Sequence, residues 1–280
     1  MLYYSPLRYS SNKRGGKIKK NKTSNPLILL TNDDGFFSEG IQVLKDKLNK
    51  TADVYIVAPD SEKSATSLAL TLHHPLRIKE IDRYTYAVSG TPADCIYLAV
   101  QNILPFKPDL IISGINPGPN LGQQDTSYSG TVAGAVQGTF LKIPSLAVST
   151  LPDENGKLNF ESAAQFILSI VNQMIHIPPP EGVTININIP SPPIKGIKIT
   201  KLGEKRYHPE IVSKKDPRKR DYYWIGTGMP KSVGDINSDV NVIKQGYITV
   251  TPLHRDMTDY KIIKNKELEP LFEKTKYEFS

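Results

Sequence analysis

The sequence predicts an α/β protein with a doubly wound, mostly parallel sheet in a three-layer, Rossmann-like arrangement, from which a β-hairpin arm and a C-terminal segment project. Two runs, Leu27–Thr31 and Asp109–Ile115, are almost wholly apolar, as expected of strands covered on both faces. Strand-like and helix-like segments then alternate to about residue 190. That alternation favours parallel strands with helices packed on both sides of the sheet.

The first half of the chain supplies clear helix and strand patterns. After the first strand, Ser38 is placed to cap a helix whose apolar residues Ile41, Leu44 and Leu48 recur at helical spacing. The later predicted elements of this half are the strand Asp53–Pro59, the extended segments Leu68–Ile81 and Tyr84–Ser89, the helix Thr91–Leu104, the strand Asp109–Ile115 and the loop Asn116–Gly122.

The second half continues the pattern and then changes character. The predicted elements are the helix Gly130–Leu141, the strand Ser145–Thr150, the helix Ser162–Ile175 and the strand Thr184–Ile189. After a proline cluster come the β-like segments Ile197–Leu202, Tyr222–Ile225 and Gly246–Thr251. We therefore expect a catalytic core over residues 27–195 and, over residues 196–280, a β-arm with a C-terminal oligomerisation segment packing on the core. The alternative is an internal β-subdomain.

The charge distribution separates a basic leader from a neutral remainder. The net charge is +7, and residues 1–26 contain seven basic residues and no acidic ones, so the other 28 basic and 28 acidic residues balance. The seven are Arg8, Lys13, Arg14, Lys17, Lys19, Lys20 and Lys22. The leader is predicted to be disordered. It could be a solvated extension, a basic arm that contacts nucleic acid or acidic surfaces, or a targeting peptide. Nucleic-acid binding by the rest of the chain is not expected.

Composition gives two further expectations. No apolar run is long enough to span a membrane. The single cysteine, Cys95, excludes an intramolecular disulfide framework and fits a reducing compartment, so we expect a cytoplasmic protein.

Polar residues cluster after three of the predicted strands. The clusters are Asn32, Asp33, Asp34 and Gly35 after the first strand, Asp60, Ser61 and Ser64 after the second, and Ser113, Gly114 and Asn116, with Asn120 and Gly122, after Asp109–Ile115. Because the carboxyl ends of parallel strands meet at one edge of a sheet, these residues should converge there.

The adjacent carboxylates Asp33 and Asp34 indicate a cation site. A pair of aspartates in a loop is often only solvated, and Asp34 could simply favour the start of the next helix. Directly after a buried strand, however, two like charges need compensation. With the Ser64 hydroxyl and the Asn116 amide added, the candidate ligands are all oxygens, which suits Mg²⁺ or Mn²⁺ and not structural zinc.

The predicted helix Gly130–Leu141 begins with Ser129, Gly130 and Thr131, which could bind an anion. Free backbone N–H groups at a helix start, beside two hydroxyls, form a phosphate site. An ordinary serine cap would produce the same pattern. The neighbouring metal prediction favours phosphate, with Asn120 as a further contact.

Five motifs together resemble the SurE family, the stationary-phase survival proteins. They are Leu30–Gly35 (LTNDDG), Ala58–Asp60 with Ser64–Thr66, Ser89–Cys95 (SGTPADC), Ser113–Asn116 with Gly118–Gly122, and Tyr128–Val132 (YSGTV). They occur in the family's order within a resemblance that covers roughly residues 27–255. The resemblance to the family therefore extends over most of the chain and does not depend on one shared motif.

The resemblance implies a metal-dependent nucleotidase. It implies one divalent ion per subunit held by Asp33, Asp34, Ser64 and Asn116, and nucleoside monophosphates as substrates, with 5′- or 3′-phosphates and short polyphosphate within the family's range. It also implies a homodimer or homotetramer in which the arm and the C-terminal segment are exchanged.

The residue types give a mechanism and leave alternatives. The metal would activate a water, either Asp33 or Asp34 could take its proton, and Asn120 with Ser129–Thr131 would hold the phosphoryl oxygens. No P-loop is present, and residues 114–120 do not form a dinucleotide-binding motif. The alternatives are a phosphatase of sugar phosphates or polyphosphate, and a nucleic-acid-associated protein acting through the leader.

Overall fold

The computed structural model describes residues 25–207, 210–226, 228, 231–233 and 235–273, and most of the described strands belong to one nine-stranded sheet. The strands are β1 (Leu27–Thr31), β2 (Asp53–Pro59), β3 (Ile78–Asp82), β4 (Thr85–Val88), β5 (Leu110–Pro117), β6 (Ser145–Thr150), β7 (Val183–Ile189), β8 (Gly196–Ile199), β9 (Glu204–Arg206), β10 (Glu210–Lys215), β11 (Asp221–Gly226), β12 (Lys231–Val233) and β13 (Tyr247–His254). Residues 1–24 of the predicted leader lie outside the described residues.

The large sheet is mostly parallel, as predicted. Its strand order is β3-β4-β2-β1-β5-β6-β7-β13-β8, and only the β3–β4 and β7–β13 pairings are antiparallel. β1 lies in its middle between β2 and β5, with Leu30 opposite both Ile56 and Ile112. The carboxyl ends of β1, β2 and β5 therefore share one edge.

Helices cover both faces and complete the three layers. They are α1 (Glu39–Leu48), α2 (Pro92–Leu98, continued by a π-helical turn Ala99–Ile103), α3 (Gly122–Tyr128), α4 (Gly130–Phe140), α5 (Phe160–His176), α6 (Asp239–Val242, continued by a 3₁₀ turn Ile243–Gln245), α7 (Tyr260–Lys264) and α8 (Glu269–Phe272). α1 and α5 pack on one face, and α2 and α4 on the other. The predicted fold class is confirmed.

β1 shows why its sequence is continuously apolar. Ile28 and Leu30 pack in the core beneath α1 and α5, whereas Leu29 packs in the core beneath α2. All three side chains are fully buried, because the strand has helices on both sides. A central strand of this kind places its polar residues only at its end.

Two parts of the structure differ from the sequence prediction. Of the extended segment Leu68–Ile81, only the end forms a strand. In the rest of the segment, the Thr71 N–H and hydroxyl donate to the Asp94 carboxylate instead of to a strand. The helix α3 was not predicted. Its sequence, GQQDTSY, has no apolar stripe, so contacts with other segments must stabilise it.

The C-terminal part is divided between the sheet and an arm. β8 and β13 pair within the large sheet, so the sheet continues beyond the expected boundary at residue 195. β10 and β11 form the predicted projecting hairpin, with almost every residue exposed, and β9 pairs with β12 at its base. The described residues contain no helix long and apolar enough to cross a membrane.

Candidate active site

The turn after β1 is organised by Asn32. Its Oδ1 accepts the Gly35 N–H at 3.2 Å, and its Nδ2 donates to the Gly35 carbonyl at 2.9 Å and to the Ser38 hydroxyl at 2.6 Å. Gly35 has a φ of 105°, which a residue with a side chain rarely adopts. Asn32 thus supports the turn and leaves the two aspartates to face the sheet edge.

Asp33 is joined to two of the other predicted segments of the site. Its carbonyl accepts the Lys63 N–H at 2.7 Å, which ties the loop after β2 to the end of β1. Its carboxylate Oδ1 accepts the Thr131 hydroxyl at 2.5 Å. A Cβ added to Gly130 would lie 2.7 Å from the Asp33 Cβ, so the start of α4 packs directly on this side chain. The loop after β2 and the start of α4 therefore meet at the Asp33 turn, whereas the convergence of Asn116 and Asn120 on it stays a prediction.

The electrostatics of Asp33 reflect opposing effects. The side chain is only 5% exposed, and this burial raises the pKa of the carboxyl. Hydrogen bonds from Thr131 act in the opposite direction, since they favour the charged form. A carboxylate with this little solvent is stabilised further by any cation beside it.

The carboxylate of Asp34 lies in a different environment from that of Asp33. Its Oδ2 is buried and has no hydrogen-bond partner among the described residues. Burial first, and then the negative charges of Asp33 and Glu62, raise the pKa of Asp34 to about 7. Keeping two adjacent carboxylates charged in a buried site costs free energy. Each unit by which a pKa is raised corresponds to about 1.4 kcal/mol between the charged and the protonated form.

These residues fit a hard divalent cation. Within the described part of the chain, no three or more His, Cys, Asp or Glu side chains are grouped as metal ligands, so a site made mainly of such groups is not found there. Two adjacent carboxylates remain, and the Asp34 Oδ2, which has no hydrogen-bond partner among the described residues, is the kind of atom that a cation would satisfy.

Ser64 and Asn116, the other two predicted metal ligands, each make a hydrogen bond to another protein group. Ser64 is exposed, and its hydroxyl donates to Glu62 Oε1 at 2.7 Å. Asn116 lies near the end of β5, past an irregularity in the β5–β6 pairing, and its Nδ2 donates to the Gly118 carbonyl at 2.7 Å. That bond uses the amide nitrogen, and the other polar atom, Oδ1, is of the type a hard cation prefers. Both residues remain predicted ligands.

Gly114 explains the irregularity of β5. Its φ is 127°, and a Cβ added there would lie 2.2 Å from the Val148 carbonyl oxygen on β6. Only glycine allows this approach, and the chain consequently reaches Asn116 out of regular register with β6.

Asn120 is held by asparagines that the sequence analysis did not single out. Asn188 Oδ1 accepts the Asn120 N–H at 2.8 Å, and Asn186 and Asn188 donate their Nδ2 groups to the Asn120 carbonyl at 2.8 and 3.1 Å. The Asn120 Nδ2 donates to the Ser149 hydroxyl at 2.9 Å. Buried asparagines alternating with isoleucines in β7 were the available signal, because such amides require specific partners.

The start of α4 shows the helix cap, which is one of the two interpretations made from the sequence. Ser129 is an ordinary helix cap, since its hydroxyl accepts the Val132 N–H at 3.0 Å. Thr131 uses its hydroxyl on Asp33. Phosphate binding by Ser129, Gly130 and Thr131 therefore stays a prediction, and both hydroxyl groups of this set already have protein partners.

Glu62 is a site residue that the sequence analysis missed. It receives the Ser64 hydroxyl, and its negative charge raises the pKa of both Asp33 and Asp34. It is exposed and lies in a polar loop, where a carboxylate is normally solvated. Only the folded position of that loop reveals its proximity.

Several known proteins that are similar to this chain belong to one family. Residues 28–209 match the family model described as Survival protein SurE. The chain is 44% identical over 237 residues to the 5′-nucleotidase SurE of Geotalea uraniireducens (strain Rf4), which covers 83% of this chain and 94% of that protein. It is 43% identical over 237 residues to the 5′-nucleotidase SurE of Haemophilus influenzae (strain PittGG), covering 83% and 93%.

A solved structure is also similar to this chain. The crystal structure of the SurE protein from Aquifex aeolicus shares 42% sequence identity with it at a TM-score of 0.75. The match covers 87% of this chain and 100% of that one. The similarity therefore extends over most of the chain and not only over the site motifs.

Proposed function

The chain belongs to the SurE family and is a nucleotidase, and we propose that it hydrolyses nucleoside monophosphates with one divalent metal ion, Mg²⁺ or Mn²⁺, bound at Asp33 and Asp34. The observation that carries this proposal is the buried Asp34 Oδ2, which has no hydrogen-bond partner among the described residues and is adjacent to the buried carboxylate of Asp33. A cation offsets both charges, and the substrate phosphate can share it.

The ligands proposed for the metal are Asp33, Asp34, Ser64 and Asn116. When bound, the ion supplies charge neutralisation at the phosphate and lowers the pKa of a water molecule. Asn120, with Ser129, Gly130 and Thr131, would hold the phosphoryl oxygens as charge develops on them. The hydrogen bonds that hold the Asn120 backbone to Asn186 and Asn188 support this role, because a donor held in place needs no reorganisation during the reaction.

The structure favours one aspartate as the proton acceptor. Asp33 Oδ1 is engaged by the Thr131 hydroxyl, which leaves its second oxygen for the metal. Asp34 has an oxygen with no partner among the described residues. We therefore propose that Asp34 binds the metal through Oδ2 and accepts the proton of the attacking water through its other oxygen, while Asp33 is the fixed ligand.

We also propose a homodimer or homotetramer in which the arm and the C-terminal segment pack on a second copy. Trp224 and Ile225 of the β10–β11 hairpin are 65% and 78% exposed. In the C-terminal helices, Leu271 and Phe272 are 68% and 66% exposed. A two-stranded hairpin is at best marginally stable in water, and a partner surface would cover these side chains.

A cytoplasmic location is proposed from the single buried thiol. Cys95 is fully buried within the α2 core, and burial raises the pKa of its thiol. A protein of this size with one inert cysteine fits a reducing compartment.

The test is phosphate release from a panel of substrates. Protein treated with EDTA should release no phosphate from adenosine 5′-monophosphate, and Mg²⁺ or Mn²⁺ should restore it. Full activity in EDTA would contradict the metal proposal. A sugar phosphate or polyphosphate cleaved far better than every nucleotide would point instead to a non-nucleotide phosphatase.

A further inference from the structure

Asp239 is a fully buried carboxylate remote in sequence from the predicted site. It opens α6, and its side chain is 0% exposed. Its Oδ2 accepts the Gly122 N–H at 2.8 Å, and its Oδ1 accepts the N–H groups of Gly203 and Val240, both at 2.7 Å. One carboxylate thus joins α6 to the end of the Asn116–Gly122 loop and to the base of the arm.

The junction around Asp239 is too close-packed for larger residues. The Gln123 N–H donates to the Gly203 carbonyl at 2.9 Å, and a Cβ added to Gly122 would lie 2.9 Å from the same oxygen. A Cβ added to Gly203 would lie 2.8 Å from the Ser238 hydroxyl. The site loop and the arm base are therefore in direct backbone contact, with little room to shift relative to each other.

A second contact joins the arm base to α3. The Lys205 ammonium and the Tyr207 hydroxyl both donate to the carboxylate of Asp125, near the middle of α3. The Lys205 and Asp125 side chains are 10% and 19% exposed, so solvent screens this ion pair only in part. Burial first, and then Asp125, raises the pKa of Tyr207, which keeps its hydroxyl protonated as a donor.

α3 connects these contacts to both halves of the site. It begins two residues after Asn120 and ends at Tyr128, immediately before the cap of α4. α4 in turn packs on Asp33 through Gly130. A shift of α3 would consequently move Asn120 at one end and the contact with Asp33 at the other.

We propose that Asp239 is a positioning residue of the active site, which fixes the loop carrying Asn116 and Asn120 against the base of the arm (residues 203–207). Asp125 makes the secondary contact of the same unit. The inference rests on the proposed function of that loop. It makes the geometry of the site dependent on a docked arm base, although Asp239 itself touches neither metal nor substrate.

The test is Asp239→Asn in the full chain. The new amide would place a donor against a backbone N–H donor, so the loop should loosen while the sheet stays folded. Because a misplacement of about 1 Å can cost roughly 100-fold in rate, we expect kcat on adenosine 5′-monophosphate to fall roughly 10- to 100-fold. Half-maximal activation should need more Mn²⁺, and amide exchange of residues 116–128 in metal-free protein should be faster.

Asp109→Asn is the matched control. Asp109 accepts the Leu27 N–H at 2.7 Å at the opposite edge of the sheet, so its loss should lower the melting temperature without changing the Mn²⁺ requirement or the exchange of residues 116–128. A purely structural role of Asp239 predicts the same behaviour for both variants, and that result would overturn the inference.

A second variant guards against failure to fold. Asp125→Asn weakens only the α3–arm contact, and we expect a smaller fall in kcat with the same change in exchange over residues 116–128. Wild-type kinetics and exchange in both folded variants would also overturn the inference. If wild-type protein releases no phosphate with any divalent metal, the proposed function fails instead, and the exchange result alone still tests the positioning of the loop.

Discussion

The Thr131 hydroxyl donates to Asp33 Oδ1 at 2.5 Å, although 98 residues separate the two in sequence. This hydrogen bond joins the first turn of α4 to the end of β1, and it fixes one oxygen of a buried carboxylate. The bond thereby also fixes the direction of the other oxygen, Oδ2. Metal ligands are commonly oriented in this way by hydrogen bonds from neighbouring groups. The predicted phosphate residue Thr131 is thus also a support for the predicted metal ligand.

Replacing Thr131 with valine should weaken both stability and activity. Valine has a similar shape but no hydroxyl, so Asp33 would lose a donor. A hydrogen bond to a charged group contributes about 1.5–3 kcal/mol, and we expect a loss of that order in the free energy of unfolding of the metal-free protein. Urea unfolding and steady-state kinetics measure the two effects. Thr131→Ser keeps the hydroxyl and should stay near wild type; equal losses in both variants would contradict this role.

Gly130→Ala should disturb Asp33 directly. The added methyl would lie 2.7 Å from the Asp33 Cβ and 2.9 Å from its Oδ2, so the carboxylate must move. We expect weaker metal activation, with at least a roughly tenfold lower kcat, because ligand geometry is altered.

Gly156→Ala is the control for the glycine substitution. Gly156 has a φ of 79° and nothing within 4 Å of an added Cβ, so alanine there should cost stability through backbone strain alone. If both glycine variants lose stability but keep wild-type kinetics, the close packing of α4 on Asp33 has no catalytic consequence.

Asp34 should give the metal-free protein a distinctive pH dependence. Its folded pKa is raised to about 7, whereas an unfolded aspartate titrates near about 3.9. Between these values the folded chain holds a proton that the unfolded chain has released, so stability falls as pH rises from about 4 to about 7. Thermal melts in EDTA should show this fall, and Asp34→Asn should reduce it. An identical slope in the variant would remove Asp34 as its source.

Deleting residues 1–25 should leave nucleotidase kinetics unchanged. All of the excess positive charge lies in this segment, and the remainder is formally neutral. Salt-dependent binding to nucleic acid, if present, should disappear with the deletion. A large loss of phosphate release would show that the leader takes part in catalysis.

Local patterns predicted the sheet and the candidate ligands, because their causes are local. The apolar run of β1 follows from burial on both faces, and the carboxylates at its end follow from the shared edge of parallel strands. α3 could not be predicted, since its seven residues have no apolar stripe and are held by Gly203, Lys205 and Tyr207, about 80 residues away.

The residues that hold the site in place could not be recognised from the sequence either. Asp239 looks like any acidic residue at a helix start until the fold brings Gly122 and Gly203 to it. Asn186 and Asn188 stood in a strand that was predicted correctly, but the partner that explains them, Asn120, lies on another segment. Pairing between distant segments is what a single sequence does not display.

The most direct test of the account is Mn²⁺ binding measured by titration calorimetry on metal-free wild type and Asp34→Asn. We expect one ion per chain in the wild type. Changing a neighbour of a metal ligand alone costs 10- to 100-fold in affinity, so losing the ligand should weaken binding by roughly 100-fold or more. Phosphate release from adenosine 5′-monophosphate should be lost in parallel. Equal Mn²⁺ affinity in the two proteins would contradict a metal site at Asp33 and Asp34.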